Sequence, residues 1–188
     1  MQSIAVYCGS NFGRNGSYRE AAVALGHALA ANSIRLVYGG TTKGLMGVVA
    51  DATLEAGGEA HGVITERLAS LGQTHPNLTS HDIVPDMRSR KARMADLSDG
   101  FIAMPGGIGT LEELFEIWVE GQLYPPPRPI GLLDVEGFFK PFFGMIDHMI
   151  AENFLPPAHR NMVVASPKPQ ELITAMGNYT PVVANKWL

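Results

Sequence analysis

The sequence predicts an α/β fold: a three-layer, doubly wound parallel sheet with helices packed on both faces. Two features carry that reading. Short apolar, β-rich runs alternate with helix-spaced stretches along the chain, and the runs end repeatedly in glycine. Strands joined through crossover helices pair in parallel with right-handed connections, so their carboxyl ends share one rim, where ligands of such sheets bind. A chain of 188 residues, 46% hydrophobic and 17% charged with mean hydropathy +0.06, suits one domain spanning 1–188 around a sizeable core.

Residues 4–8 (Ile4, Ala5, Val6, Tyr7, Cys8) form the first strand, closed by Gly9, Ser10 and Asn11. Ala21, Ala22, Leu25, Ala28 and Leu29 then recur at helical spacing over 17–31. The unit repeats: a strand over 35–38 ends in Gly39 and Gly40, and a helix over 45–55 is closed by Gly57 and Gly58. A third strand covers 59–64. After a loop rich in Gly, Pro and His at 72–76, the pattern gives a short strand at 82–84, a helix over 86–97 and a strand over 100–104. Prolines at 125, 126, 127 and 129 force an extended connection after the next helix, because proline cannot continue it. A strand at 130–133, a helix at 138–152, a strand at 162–165 and a short helix at 169–176 complete the Rossmann-like alternation, and the tail is unassigned.

Net charge of −4 and a pI near 5.8 leave no broad basic surface, so neither nucleic acid nor an anionic membrane is an expected partner. The single cysteine, Cys8, allows no internal disulfide and no cysteine metal cage; at a strand end it suits a small buried hydrophobe in a reducing compartment. The chain enters a strand without a charged-then-apolar leader, and no apolar run approaches the roughly 20 residues of a membrane span. A cytoplasmic location is expected.

Residues 105–113 read Pro105-Gly106-Gly107-Ile108-Gly109-Thr110-Leu111-Glu112-Glu113, between an apolar strand and an amphipathic run. Glycines at 106, 107 and 109 permit φ > 0 and bare the backbone to a ligand, while the first free N–H groups of the following helix favour an anion, most simply a phosphate. Thr110 and Glu113 also stand at capping-box spacing, which offers a purely structural role for the pair. Three glycines exceed what a helix start requires, and that excess favours a ligand. Gly9, Gly13 and Gly16 lack the dinucleotide spacing, and the Walker pattern is missing, so a monophosphate is the expected anion. Gly9, Gly39, Gly40 and the main loop all follow strand ends and should share one site. The histidines at 27, 61, 75, 81, 148 and 159 have no ligand spacing, so no metal is assigned; Met87, Met94 and Met104 read as core.

The helix opening at Asp86 carries Arg88, Arg90, Lys91 and Arg93 in an otherwise acidic chain. Arg90 shares a face with Met94, and Met87, Arg90 and Lys91 lie together, whereas Arg88 and Arg93 point elsewhere. A solvated basic face is one reading. An arginine among methionines, however, requires an anionic partner, because burying it unpaired is costly.

The run Asp86-Met87-x-x-Arg90-Lys91 followed by Pro105-Gly106-Gly107-x-Gly109-Thr110-x-x-Glu113 resembles the paired signature of the Lonely guy family, the phosphoribohydrolases that activate cytokinins. The likeness extends to Cys8-Gly9-Ser10 and to Tyr38-Gly39-Gly40 with Gly44-Leu45-Met46-Gly47, and so covers most of the chain. It implies hydrolysis of the N-glycosidic bond of N6-modified adenosine 5′-monophosphate, or of AMP, to free base and ribose 5-phosphate, with no cofactor. It makes Arg90 and Glu113 the catalytic pair, Lys91 a substrate-binding cation, and Pro105, Gly106, Gly107, Ile108, Gly109, Thr110 and Glu112 the phosphate loop. Gly9, Ser10, Gly39, Gly40 and Met87 complete the implied substrate-binding set. It also implies a homodimer, expected to use the helices at 86–98 and 114–123, because Leu114, Phe115, Trp118 and Val119 exceed a one-sided apolar stripe. Relatives are often labelled lysine decarboxylases, yet no lysine here is recognisable as a pyridoxal-phosphate anchor.

Three departures stand out. Thr41 occupies the place of the family's third glycine, no acidic substrate contact aligns around 75–77, and the triple proline at 125–127 is unusual. In the implied chemistry positive charge develops on the ribose, so Glu113 can stabilise it and orient or deprotonate water while Arg90 holds the leaving purine. The rival is a non-catalytic nucleotide or molybdenum-cofactor carrier, which resembles this fold and its loop but needs no Arg90 and Glu113 together.

Overall fold

The computed structural model describes residues 1–182, in which seven strands form one parallel sheet in the order β4-β3-β2-β1-β5-β6-β7. The chain runs β1 Ser3–Tyr7, α1 Gly16–Ala31, β2 Arg35–Tyr38, α2 Gly44–Glu55, β3 Ala60–Thr65, α3 Glu66–Ser70, β4 Ser80–Val84 and α4 Met87–Asp96. It continues with β5 Gly100–Ala103, α5 Ile108–Leu123, β6 Ile130–Leu133, α6 Lys140–Ala151, β7 Val163–Ser166 and α7 Pro169–Gly177. Among the described residues no helix is long and apolar enough to cross a membrane.

Alternation along the central strands splits the core into two layers, because successive side chains of a strand leave opposite faces. Ile4 and Val6 of β1 pack with Leu36, Leu25, Leu29, Val49 and Leu172 under α1, α2 and α7. Ala5 and Tyr7 pack with Phe101, Met94, Leu114, Trp118 and Phe142 under α4, α5 and α6. Every residue of β1, β3, β5 and β6 is therefore buried. Cys8 is buried at the end of β1 and its thiol is free.

The expected elements are present, with shifted ends. The short α3 lies outside the sequence reading; it is capped by Thr65, whose Oγ1 accepts from the Leu68 N–H at 3.4 Å. β4 starts at Ser80 rather than 82, since this edge strand exposes Ser80, His81 and Ile83 and lacks an apolar run. Two single 3-10 stretches, Val135–Gly137 and Pro157–Met162, flank α6.

Strand order reverses at β1, which pairs with β2 on one side and β5 on the other. The crevice beyond the carboxyl ends of these two strands is the ligand position of such sheets. The loops there are stitched together: Gly9 N–H donates to Pro105 O at 3.1 Å, and Leu45 N–H donates to Gly9 O at 3.0 Å.

Candidate active site

Helix α5 starts at Ile108 with Gly107 as its N-cap, and no side chain caps it. This corrects the capping-box reading. Thr110 is the third residue inside the helix and is buried, so it is not the N-cap that Glu113 would reach back to. The expectation of φ > 0 at Gly106, Gly107 and Gly109 also fails, since none of them is among the left-handed glycines. The need for glycine at 106 is steric: a Cβ there would run into Thr110 Oγ1 and meet Gly9 N at 2.9 Å. At Gly107 and Gly109 a Cβ would meet no atom within 4 Å. Nothing in the protein's own packing requires those two to be bare, and the open space lies before the free N–H groups of α5.

A crevice of about 190 Å³ adjoins this loop and is lined by Gly9, Ser10, Asn11, Gly106 and Gly107. Tyr18 and Phe138, edge to face at 6.1 Å, form an aromatic wall on the same crevice. Sequence reasoning missed them: they lie 120 residues apart, and neither belongs to a motif.

Arg90 projects from α4 with only 7% of its surface exposed. Its Nε donates to Val63 O at 2.9 Å and its Nη1 reaches Met87 Sδ at 3.6 Å. Its Nη2 sits against Gly39, where a Cβ would collide with it, so the Gly39 backbone is the floor of the guanidinium. Burial lowers the Arg90 pKa and the charge of Glu113 opposes that. Of the basic helix, Arg88 is exposed and Arg93 pairs with Asp82 at 2.7 Å, as the helical spacing implies. Met94 and Met104 are core, whereas Met87 is 48% exposed beside Arg90 and is corrected from the core reading. The helix begins with Asp86, whose Oδ1 accepts from Ser89 N–H at 2.7 Å.

Glu113 lies in the second turn of α5, partly buried. Burial pushes its carboxyl up to about 7, with Arg90 pulling down and Glu112 pushing up. Burial likewise raises the Tyr7 hydroxyl and the Cys8 thiol, with Glu113 contributing to both, which sets the carboxyl at the carboxyl end of β1. Such a group exchanges a proton near neutral pH, as a general base or charge stabiliser requires.

Lys91 and Glu112, both implied substrate contacts, form an ion pair with each other, and Lys91 also reaches Glu116 at 3.0 Å. The trio ties α4 to α5 one residue away from both Arg90 and Glu113. Beside the arginine, Gly40 takes φ +71 and Thr41 is buried, its Oγ1 accepting from Lys43 N–H at 3.3 Å. Among the described residues no three His, Cys, Asp or Glu side chains converge as a metal would require.

A family model described as possible lysine decarboxylase matches residues 46–176. A probable cytokinin riboside 5′-monophosphate phosphoribohydrolase of Oryza sativa subsp. japonica is 42% identical over 182 residues, covering 97% of this chain and 80% of that protein. A cytokinin riboside 5′-monophosphate phosphoribohydrolase of Arabidopsis thaliana is 42% identical over 181 residues, covering 96% of this chain and 85% of its own length. Among solved structures, the molybdenum cofactor binding protein of Rippkaea orientalis superposes with TM-score 0.70 at 19% identity, covering 94% of this chain and 95% of that one. The molybdenum cofactor carrier protein of Chlamydomonas reinhardtii gives TM-score 0.70 at 19% identity over 94% and 96%. At that identity the structural likeness is one of fold.

Proposed function

The chain belongs to the Lonely guy family, whose model carries the description possible lysine decarboxylase, and on that premise we propose that it is a phosphoribohydrolase cleaving the N-glycosidic bond of cytokinin riboside 5′-monophosphates. The products are free base and ribose 5-phosphate. One observation supports this chemistry above the rest: the open N-terminus of α5 and the near-neutral carboxyl of Glu113 stand on one helix. Glu113 stands five positions after Ile108, about 7.5 Å along the axis, the scale of a ribose 5-phosphate.

In this reading the backbone N–H groups at 107–110 hold the phosphate, with Pro105, Gly106, Gly109 and Thr110 shaping the loop and Gly9 and Ser10 its far wall. Remote binding energy from the phosphate then keeps the sugar in register. As the bond to the base lengthens, positive charge on the ribose is stabilised by the Glu113 carboxylate, which also orients water. Arg90, resting on Gly39 beside Met87, holds the charge leaving with the purine. A guanidinium is a poor proton donor, so its part is electrostatic. Lys91 and Glu112 act by locking α4 to α5.

The protein works as a cytoplasmic homodimer in this account. α5 buries Leu114, Ile117 and Trp118 in its own core yet exposes Ile108, Val119 and Leu123, and α4 exposes Met87 nearby in sequence to Arg90. Chromatography of AMP, N6-prenylated AMP and the matching nucleosides after incubation tests the function. Free base should appear from the monophosphates alone, and equal release from adenosine would remove the phosphate anchor.

A further inference from the structure

We propose that His75 is a positioning residue that fixes the floor beneath Arg90, an inference that rests on Arg90 acting in the hydrolysis proposed above. His75 lies in the connection between α3 and β4, outside the loops that bear the implied site, and is 3% exposed. Both ring nitrogens are satisfied: Nδ1 accepts from Asn77 N–H at 3.2 Å, which leaves the proton on Nε2, and Nε2 donates to Asp51 Oδ1 of α2 at 2.9 Å. Its backbone N–H donates to Gly40 O at 2.9 Å, and Thr74 forms an antiparallel bridge with Thr41.

These bonds tie three segments at the turn after β2: the connection itself, α2, and the Gly39-Gly40-Thr41 turn, whose first residue, Gly39, carries the Arg90 guanidinium. Tyr38 opens that turn; its hydroxyl is buried with no hydrogen-bond partner among the described residues, and Asp51 and Arg90 are both charges that act on it. The polar floor therefore runs from His75 and Asp51 to the arginine. A cation aimed by a backbone surface loses its aim when that surface shifts, and a misplacement of about 1 Å can cost on the order of a hundredfold in rate.

Steady-state kinetics on AMP or its N6-prenylated form, together with melting temperatures, test this. His75→Ala should lower kcat by about tenfold or more while KM moves less than about threefold, the pattern of lost transition-state alignment. Asp51→Ala should act in the same direction and not add to His75→Ala, and Asp51→Asn, which keeps the acceptor, should stay within about twofold of wild type. Thr65→Ala removes the cap of α3 in the same connection and should lower the melting temperature without lowering kcat. A folded His75→Ala or Asp51→Ala with unchanged kcat, or Thr65→Ala with an equal kcat loss, overturns the proposal. Should His75→Ala not fold, Asp51→Ala carries the same test from an exposed helix position. Absence of hydrolysis by the wild type would remove the hydrolase reading instead. The rate of Arg90 modification by phenylglyoxal, read by mass spectrometry, then tests the floor alone: faster modification in His75→Ala or Asp51→Ala supports it, and an unchanged rate overturns it.

Discussion

Arg90 is the strongest single charge acting on Glu113, and Glu113 the strongest acting on Arg90, yet the two side chains close no ion pair. The guanidinium is already committed to Val63 O and to Met87 Sδ. Burial therefore dominates both groups, and the carboxyl titrates near neutrality rather than well below it.

The pH dependence of activity follows from that value. A carboxylate is the active form in the proposed chemistry, so kcat/KM should rise with pH through about 7 and level above it. Initial rates from pH 5 to roughly 9 check this. A profile falling through neutrality would make Glu113 an acid toward the leaving base instead.

Stability should move the other way. A carboxyl raised from 4.5 to about 7 binds its proton more tightly in the folded than in the unfolded state, so stability is lost as pH rises between those values. Glu113→Gln removes that loss. It should match the wild type below pH 4.5 and exceed it above pH 7, by on the order of 3 kcal/mol at most, as read by thermal or urea unfolding at both ends.

The glycines separate packing from ligand contact. Gly39→Ala places a methyl into Arg90 and within 3.2 Å of Met46 Sδ, so both stability and turnover should fall. Gly107→Ala and Gly109→Ala both meet open space in the free protein. Gly109→Ala, inside the helix, should leave the melting temperature unchanged or raise it, whereas Gly107→Ala, at the N-cap where alanine is disfavoured, should lower it slightly. Their KM for the monophosphate should nevertheless rise by about tenfold or more, because the methyl crowds a bound phosphate. Unaltered KM in both would show that the loop is bare for no ligand.

Much of this was legible in the sequence because its signals are local. Strand, glycine and helix succeed one another within a few residues, and Arg90 and Met94 share a face by helical spacing alone. The capping box misled because Thr110 and Glu113 satisfy the spacing three residues past the true N-cap, and Gly107 has no side chain to announce itself. The loop glycines permit left-handed backbone but none adopts it, and the requirement at Gly106 is close approach to Thr110 and Gly9. Pairings such as Lys91 with Glu112, 21 residues apart, or His75 with Asp51, 24 apart, have no local signature and emerge only when the sheet brings their elements together.

Assembly is tested on α5. The wild type should sediment as a dimer at micromolar concentration, and Val119→Glu with Leu123→Glu should yield a folded monomer, since both side chains are more than 40% exposed in the single chain and contribute little to its core. A wild-type monomer would remove the dimer from the account.

Turnover of Glu113→Gln on the same nucleoside monophosphate tests the central claim most directly. The amide keeps the shape, and the structure leaves it no capping duty to fulfil. Turnover should fall by roughly two orders of magnitude or more with the fold and dimer intact, and Arg90→Ala should abolish it. Near-normal turnover by a folded Glu113→Gln enzyme would contradict the assignment of the carboxylate to the reaction.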